Sequence, residues 1–204
     1  MSSDAYKTMI EPAEGLYKEK GSKFLAFAWP VTTEEEVKDR LEELKKRFHD
    51  ARHYCYAWVI GPENPAWRAN DDGEPGNSAG VPILNQIRSF ELVNVLVVVV
   101  RYFGGTKLGV GGLVQAYKTA ARLALEQSKI VEKFLTVRID ITYAYEHTSE
   151  VMRFLYEFDL SPQRQDFGAS CSMELQVRKS QAAAVKSRLL EMRQINSSEG
   201  EANS

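Results

Sequence analysis

The sequence predicts an α+β chain folded as two domains, residues 1–130 and 131–195, followed by a disordered tail over 196–204. Three observations predict this. A length of 204 residues can hold two small cores. Apolar periodicity alternates along the chain between two and about 3.6 residues, so strands and helices are mixed. A helical pattern ends near Gln127 and a new strand pattern opens after Lys133, which puts the joint near Ser128–Lys133.

The elements follow in order. "YKTMIEPAEGLYKEKGSKFLAFAWPV" reads as two strands with a turn at Gly21-Ser22. Thr33 and Glu36 form a capping box, and Val37, Leu41, Leu44 and Phe48 recur on one helical face. Lys45, Lys46 and Arg47 suit the end of that helix, where the macrodipole is negative. "HYCYAWVIG" is an aromatic-rich strand. From Pro62 to Gly80 the residues are those of a long loop. Pro82 suits the first turn of a helix carrying Leu84 and Ile87. "VNVLVVVVRY" is apolar throughout and predicts a central strand. Glycines follow, then a helix over 112–127.

Beyond the joint, Leu135, Val137, Ile139, Ile141 and Tyr143 alternate with polar residues as a strand. Val151, Phe154, Leu155 and Phe158 mark a helix. Cys171, Met173, Leu175 and Val177 alternate as another strand, and Val185, Leu189 and Met192 mark a last helix capped near Ser180. The order β-α-β-β-α is close to a ferredoxin-like sandwich. The final strand of that fold is not recognisable in "INSSEGEANS".

Composition narrows the function. The formal net charge is −2, with Lys and Arg balanced by Asp and Glu in the first part and slightly outnumbered in the second. Neither part is a basic module. Cys55 and Cys171 are too few for a disulfide framework or a cysteine-rich zinc site, and both fall in alternating apolar stretches as buried thiols. The first residues lack a signal peptide pattern, and the longest apolar run is too short to span a bilayer, so a cytoplasmic protein is expected.

Four motifs carry candidate chemistry. "RYFGGTKLGVGG" is neither a Walker A nor a Rossmann loop, since its order is Gly-Gly-Thr-Lys and Val114 stands where a small residue is needed. It is still a glycine-rich corner entering a helix N-terminus, with Arg101 and Lys107 as cations, although tight turning alone accounts for glycines. "GNSAG" matches a nucleophile elbow around Ser78, but a loop precedes the serine and His147 lies in the other domain. Asp71, Asp72 and Glu74 could hold a hard cation or act as an acid–base pair, with a solvated turn favoured. His53 opens a strand, where a hydrogen-bonded structural role is the default. "QDFGASCS" meets an RNA-recognition pattern only at Phe167 and Gly168, so the second domain is not that module.

Together, "ARHYCYAW", "DDGEPGNSAGVPIL" and "VVVVRYFGGTKLGVGGLVQAY" closely resemble the IMPACT/YigZ family of bacterial two-domain proteins. The resemblance implies a first domain of the type shared by elongation factor G domain four and the GHMP kinases. It implies a ferredoxin-like second domain similar to domain five of that factor. Its motif falls on His53, Asp71, Asp72, Gly73, Glu74, Gly80, Arg101, Gly104, Gly105, Leu108, Gly109 and Gly112. Eukaryotic relatives of the first domain regulate translation through a stress-kinase pathway.

Two readings follow. The first is a translation-related regulatory protein that binds the ribosome, RNA or translation factors. The second is an enzyme or small-ligand binder for a phosphate-containing anion. Its site would comprise His53, Asp71, Asp72, Glu74, Arg101, Gly104, Gly105, Lys107, Gly109, Gly111 and Gly112. No catalytic residue, metal, cofactor or membrane partner is assigned. In either reading Arg101 needs a carboxylate partner among Asp71, Asp72 and Glu74 if it is buried.

Overall fold

The computed structural model describes residues 4–168 and 170–200, and the chain divides into two compact units. Residues 6–133 form one; residues up to Ala5 and from Phe134 onward form the other. The first runs β1 (Ala5–Met9), β2 (Ala13–Glu19), β3 (Ser22–Pro30), α1 (Glu34–Arg47), β4 (His53–Ile60), β5 (Ala66–Asn70), α2 (Gly80–Ser89), β6 (Val95–Tyr102), α3 (Gly109–Glu126) and β7 (Ile130–Phe134). The second continues with β8 (Thr136–Tyr143), α4 (Thr148–Glu157), β9 (Pro162–Phe167), β10 (Cys171–Arg178), α5 (Ala182–Glu191) and β11 (Ile195–Gly200).

In the first unit an antiparallel sheet has the order β2-β3-β6-β4-β5, and β1 pairs β7 separately. The valine run is the middle strand because both its faces are covered. Val95, Val97 and Val99 pack with Ile83, Ile87, Tyr117 and Ala121 of α2 and α3. Leu96, Val98 and Val100 pack with Phe27, Trp29, Val37 and Leu44 on the α1 side. Thr33 Oγ1 accepts the Glu36 N–H as expected of a capping box. The Glu36 carboxylate, however, reaches the N–H of Thr32 (2.6 Å) rather than that of the cap.

The second unit is a four-stranded antiparallel sheet in the order β11-β8-β10-β9. Its register places Ile141 opposite Met173 and Ile139 opposite Leu175. These join Val151, Phe154, Val185 and Leu189 of the two helices in one core. The element order is β-α-β-β-α-β.

Several expectations are corrected. The first stretch holds three strands, since the chain breaks at Ile10–Pro12 and β1 leaves for a different sheet. The long loop contains β5, an exposed edge strand paired with β4 from Tyr56–Asn70 to Ile60–Ala66; Gly, Pro and Asn on both sides mask it. Helix α3 starts at Gly109, three residues early. Helix α5 starts where expected, with Gln181 as its cap residue, while the hydroxyl of neighbouring Ser180 donates to Asp4 Oδ2 (2.6 Å). Over Ile195–Gly200 the expected tail is instead a strand, paired with β8 along its length. It is an edge strand burying only Ile195, so its sequence carries no apolar alternation. Residues 201–204 of that tail lie outside the described residues.

No helix among the described residues is long and apolar enough to cross a membrane.

Candidate functional site

The antiparallel register brings the sequence motifs to one end of the five-stranded sheet. His53 at the start of β4 lies opposite Arg101 near the end of β6, and β5 delivers the Asp71–Glu74 turn to the same end. Arg101 lies on the α2/α3 side of β6, where its side chain is only 7% exposed. Its Nη1 donates to Glu74 Oε1 at 2.6 Å, and the Glu74 side chain is 4% exposed. The Tyr117 hydroxyl donates to the same oxygen (2.8 Å). The guanidinium lies between the rings of Phe24 and Phe103, its carbon 5.4 and 5.7 Å from their centroids. These faces cover the cation but leave Nε buried without a hydrogen-bond partner.

Cys55 extends the network. Its thiol is 3.0 Å from the Asp71 carbonyl and 3.3 Å from the Tyr117 hydroxyl, both able to accept its proton. Burial, with the carboxylates of Glu74, Asp72 and Asp71 nearby, pushes the thiol well above its ordinary range. The Tyr117 phenol is likewise pushed up, first by burial and then by Cys55 and Glu74. Both stay protonated, so neither is a nucleophile or a base near neutrality. This cluster builds the fold.

The other two carboxylates are also engaged. Asp71 Oδ1 accepts the N–H groups of Ala79 (3.0 Å) and Gly80 (2.8 Å), and its Oδ2 accepts that of Asn77 (2.8 Å). It thus caps α2, whose cap residue Ala79 has no side-chain oxygen. Asp72 Oδ2 accepts the Tyr54 N–H at 2.7 Å, and its own N–H donates to Asn70 Oδ1. His53 Nδ1 lies 2.8 Å from the Asp72 carbonyl; a carbonyl only accepts, so Nδ1 carries the proton. The expected solvated turn is found at Asp72, Gly73 and residues 75–77, which are exposed, whereas the carboxylates of Asp71 and Glu74 turn inward. Among the described residues no three His, Cys, Asp or Glu side chains cluster as a metal site. Ser78 is buried and its hydroxyl donates to the Pro75 carbonyl (2.6 Å), which closes the nucleophile-elbow reading.

The glycine corner behaves differently. Gly104 is structural: a Cβ there would come within 1.9 Å of the Gly21 carbonyl carbon, and its N–H donates to Ser22 Oγ (3.1 Å). Gly112 is close to Leu108. Gly105 and Gly109 have φ of 87° and 71°, yet a Cβ at either would meet open space, as at Gly111. Leu108 caps α3 without a side-chain hydrogen bond, and the first turn holds no acidic residue. Lys107 is exposed.

The structure therefore joins Glu74 to Arg101 and His53 to the Asp72 backbone, while Lys107 and the open glycines make none of those contacts. Sequence reasoning missed Tyr117 and Cys55 as members of the cluster. Tyr117 could have been found: it shares the buried face of α3 with Leu113, Ala120 and Ala124, and a buried phenol needs a partner.

Fold and site together define a two-unit α/β protein whose first unit is organised by a buried carboxylate–arginine–tyrosine cluster behind a glycine corner. The chain belongs to the IMPACT/YigZ family: the model of the Impact N-terminal domain matches residues 20–125. It is 39% identical over 131 residues to the IMPACT family member YvyE of Bacillus subtilis, covering 64% of this chain and 60% of that protein. It is 39% identical over 110 residues to the IMPACT family member YigZ of Escherichia coli, covering 53% and 54% respectively. The match thus spans less than two thirds of either relative. A crystal structure described as a hypothetical protein covers 98% of this chain and 99% of its own, at 26% identity and a TM-score of 0.69.

Proposed function

We propose that this chain is a translation-related binding protein that docks on the ribosome, RNA or a translation factor, and that its two units correspond to domains four and five of elongation factor G. One observation carries the reading: the three carboxylates of the family motif are engaged within the fold. Glu74 is taken by Arg101 and Tyr117, Asp71 by the start of α2, and Asp72 by Tyr54 and, through its carbonyl, His53. The hydrogen bonds that hold these carboxylates make the arrangement a rigid surface, in which the His53 Nε2 has no partner among the described residues. Membership of the IMPACT/YigZ family, whose resemblance implies a role in translation, and the β-α-β-β-α-β order of the second unit support the same reading. Co-sedimentation of the purified chain with ribosomes and their subunits tests it. Failure to sediment with any of them across low-salt conditions would end the reading.

A second reading is favoured by the uncapped first turn of α3 beside open glycines. There a small phosphate-bearing ligand is held by the α3 N–H groups and Lys107, with His53, Asp71, Asp72, Glu74, Arg101, Gly104 and Gly112 shaping the corner. The helix end contributes at most about 2 kcal/mol toward an anion. Millimolar affinity needs about 4 kcal/mol. Lys107 then supplies the rest, and titration of pyrophosphate with and without Mg²⁺, against Lys107→Ala, tests it.

A further inference from the structure

We propose that the groove between α2 and α3 binds an extended acidic segment of a protein partner. Gln86 pairs with the backbone of that segment, Val81, Pro82 and Val114 receive an aliphatic side chain, and Lys118 receives an Asp or Glu carboxylate. This occupant rests on the binding-protein reading above; the groove itself does not.

Helices α2 and α3 pack on the same face of the five-stranded sheet and touch each other. Between them lies a groove of about 310 Å³, at the small end of ligand-binding clefts. Val81, Pro82 and Val114 give it an apolar wall, while Asn77, Asn85, Gln86 and Lys118 supply its polar groups. None of the described lining residues is acidic. Val81 and Asn85, Pro82 and Gln86, and Val114 and Lys118 are each four positions apart on their helices. Each apolar residue is therefore followed, one turn on and on the same side, by a polar one.

Gln86 points to a ligand. The residue is 7% exposed, yet its side-chain amide has no hydrogen-bond partner among the described residues. Its backbone carbonyl is used by the Phe90 N–H and the Ser89 hydroxyl, but the amide is not. Arg101 Nε is the only fully enclosed side-chain nitrogen or oxygen without a partner among the described residues. The Gln86 amide therefore opens into the groove that it lines. Ser78, also buried and just before α2, donates its hydroxyl to the Pro75 carbonyl instead. A nearly buried amide without a partner costs stability that leucine in its place would not.

The groups around Gln86 define the occupant. A primary amide offers donors and an acceptor side by side, which complements the C=O and N–H of a peptide chain. The side-chain amides of Asn77 and Asn85 are exposed and also lack partners among the described residues, so three such groups share the groove. Lys118 is exposed and forms no ion pair there, while Arg122, one turn on, takes Glu126 (3.7 Å). A cation in a lining without carboxylates favours an acidic partner. Val110, one turn before Val114 and 57% exposed, carries the apolar strip beyond the groove, which suits an extended chain better than a compact molecule. A nucleic acid strand fits less well, because the lining has no aromatic side chain for stacking and a single cation for phosphates.

The test is a titration of the isotope-labelled full chain with acetyl-Glu-Leu-Glu-Leu-Glu-Leu-amide, followed by the side-chain amide signals in NMR. The signals of Gln86, Asn77 and Asn85 are expected to shift. Those of Asn70 and Asn94, whose oxygens already accept the N–H groups of Asp72 and Gly61, should not. Gln86→Leu is expected to weaken binding about tenfold without lowering the urea midpoint. Lys118→Gln should weaken it about two- to fivefold. Lys118→Glu should transfer the preference to acetyl-Lys-Leu-Lys-Leu-Lys-Leu-amide. A Glu-Ser peptide of the same length should bind at least about tenfold more weakly, because it has no aliphatic side chain. Absence of shifts, equal binding of the acidic and basic peptides to the wild type, or a Gln86→Leu variant that binds as the wild type does overturns the proposal. A lowered midpoint for Gln86→Leu shows that the amide serves the fold and overturns it too. Shifts caused by oligouridylate and not by the acidic peptide assign the groove to nucleic acid, with the same consequence. Ribosome co-sedimentation run in parallel separates the two readings. If the wild type sediments but no peptide moves the Gln86 signal, this site is wrong while the translational reading stands.

Discussion

Replacing Glu74 by glutamine keeps the shape of the buried cluster but removes its negative charge. Arg101 would remain positive with its side chain 7% exposed and its Nε already without a partner. Breaking a buried ion pair from one side costs about 3–5 kcal/mol, because the remaining charge is desolvated and uncompensated. Glutamine retains an oxygen that can accept from Arg101 and Tyr117, and the Phe24 and Phe103 rings still face the guanidinium. The expected loss is therefore near the lower end, about 3 kcal/mol. Against a typical stability of about 5–15 kcal/mol this is a large fraction. It should move the urea midpoint by roughly 1–3 M at a slope of about 1–3 kcal/mol per molar. The assay is direct, since Trp29, Trp58 and Trp67 all lie in the first unit and their fluorescence reports its unfolding alone. Arg101→Met and the double variant complete a thermodynamic cycle. The two losses should be strongly non-additive, since removing both charges spares the orphaned one. A Glu74→Gln cost under about 1 kcal/mol, or simple additivity, would refute the reasoning.

Other perturbations have distinct expected outcomes. Asp71→Ala removes the acceptor of three backbone N–H groups at the start of α2 and should cost about 2 kcal/mol by the same fluorescence assay. Gly104→Ala forces a Cβ against the Gly21 backbone and should lower the midpoint sharply, whereas Gly111→Ala, in open helical space, should raise stability by up to about 1 kcal/mol. Raising pH should destabilise the first unit only in alkali. Cys55 and Tyr117 are folded as neutral groups with raised pKa values, so their contribution is complete below the ordinary thiol value of about 8.5 and falls as pH rises beyond it. Urea midpoints from pH 7 to 10 measure this, and Cys55→Ala should remove the earlier part of the decline.

The central strand was legible because Val95–Val100 must be covered on both faces whatever the topology. The α1 boundary was legible because Thr33 meets the orphan N–H of Glu36 through local geometry alone. The second unit's core followed from strict alternation in β8 and β10. Edge strands were missed, or for β9 counted in the order without residues, for one reason. β5, β9 and β11 bury few side chains, so their pairing leaves almost no apolar pattern to read.

The sequence by itself determined the apolar periodicities, the family motif and the need of a buried Arg101 for a carboxylate. Those are properties of neighbouring residues or of single side chains. Only the tertiary structure decided which carboxylate answered. Asp71, Asp72 and Glu74 are nearly equivalent on paper, but Asp71 meets the N-terminus of α2, Asp72 the N–H of Tyr54, and Glu74 alone meets both Arg101 and Tyr117. The left-handed backbone at Asp72 and Gly73, with φ of 40° and 85°, turns the chain between them. Likewise, nothing local joins Gly21 to Gly104, whose backbones pack together although they lie 83 positions apart. Charge and hydrophobicity add along a chain; a site depends on which distant residues the packed backbones bring together.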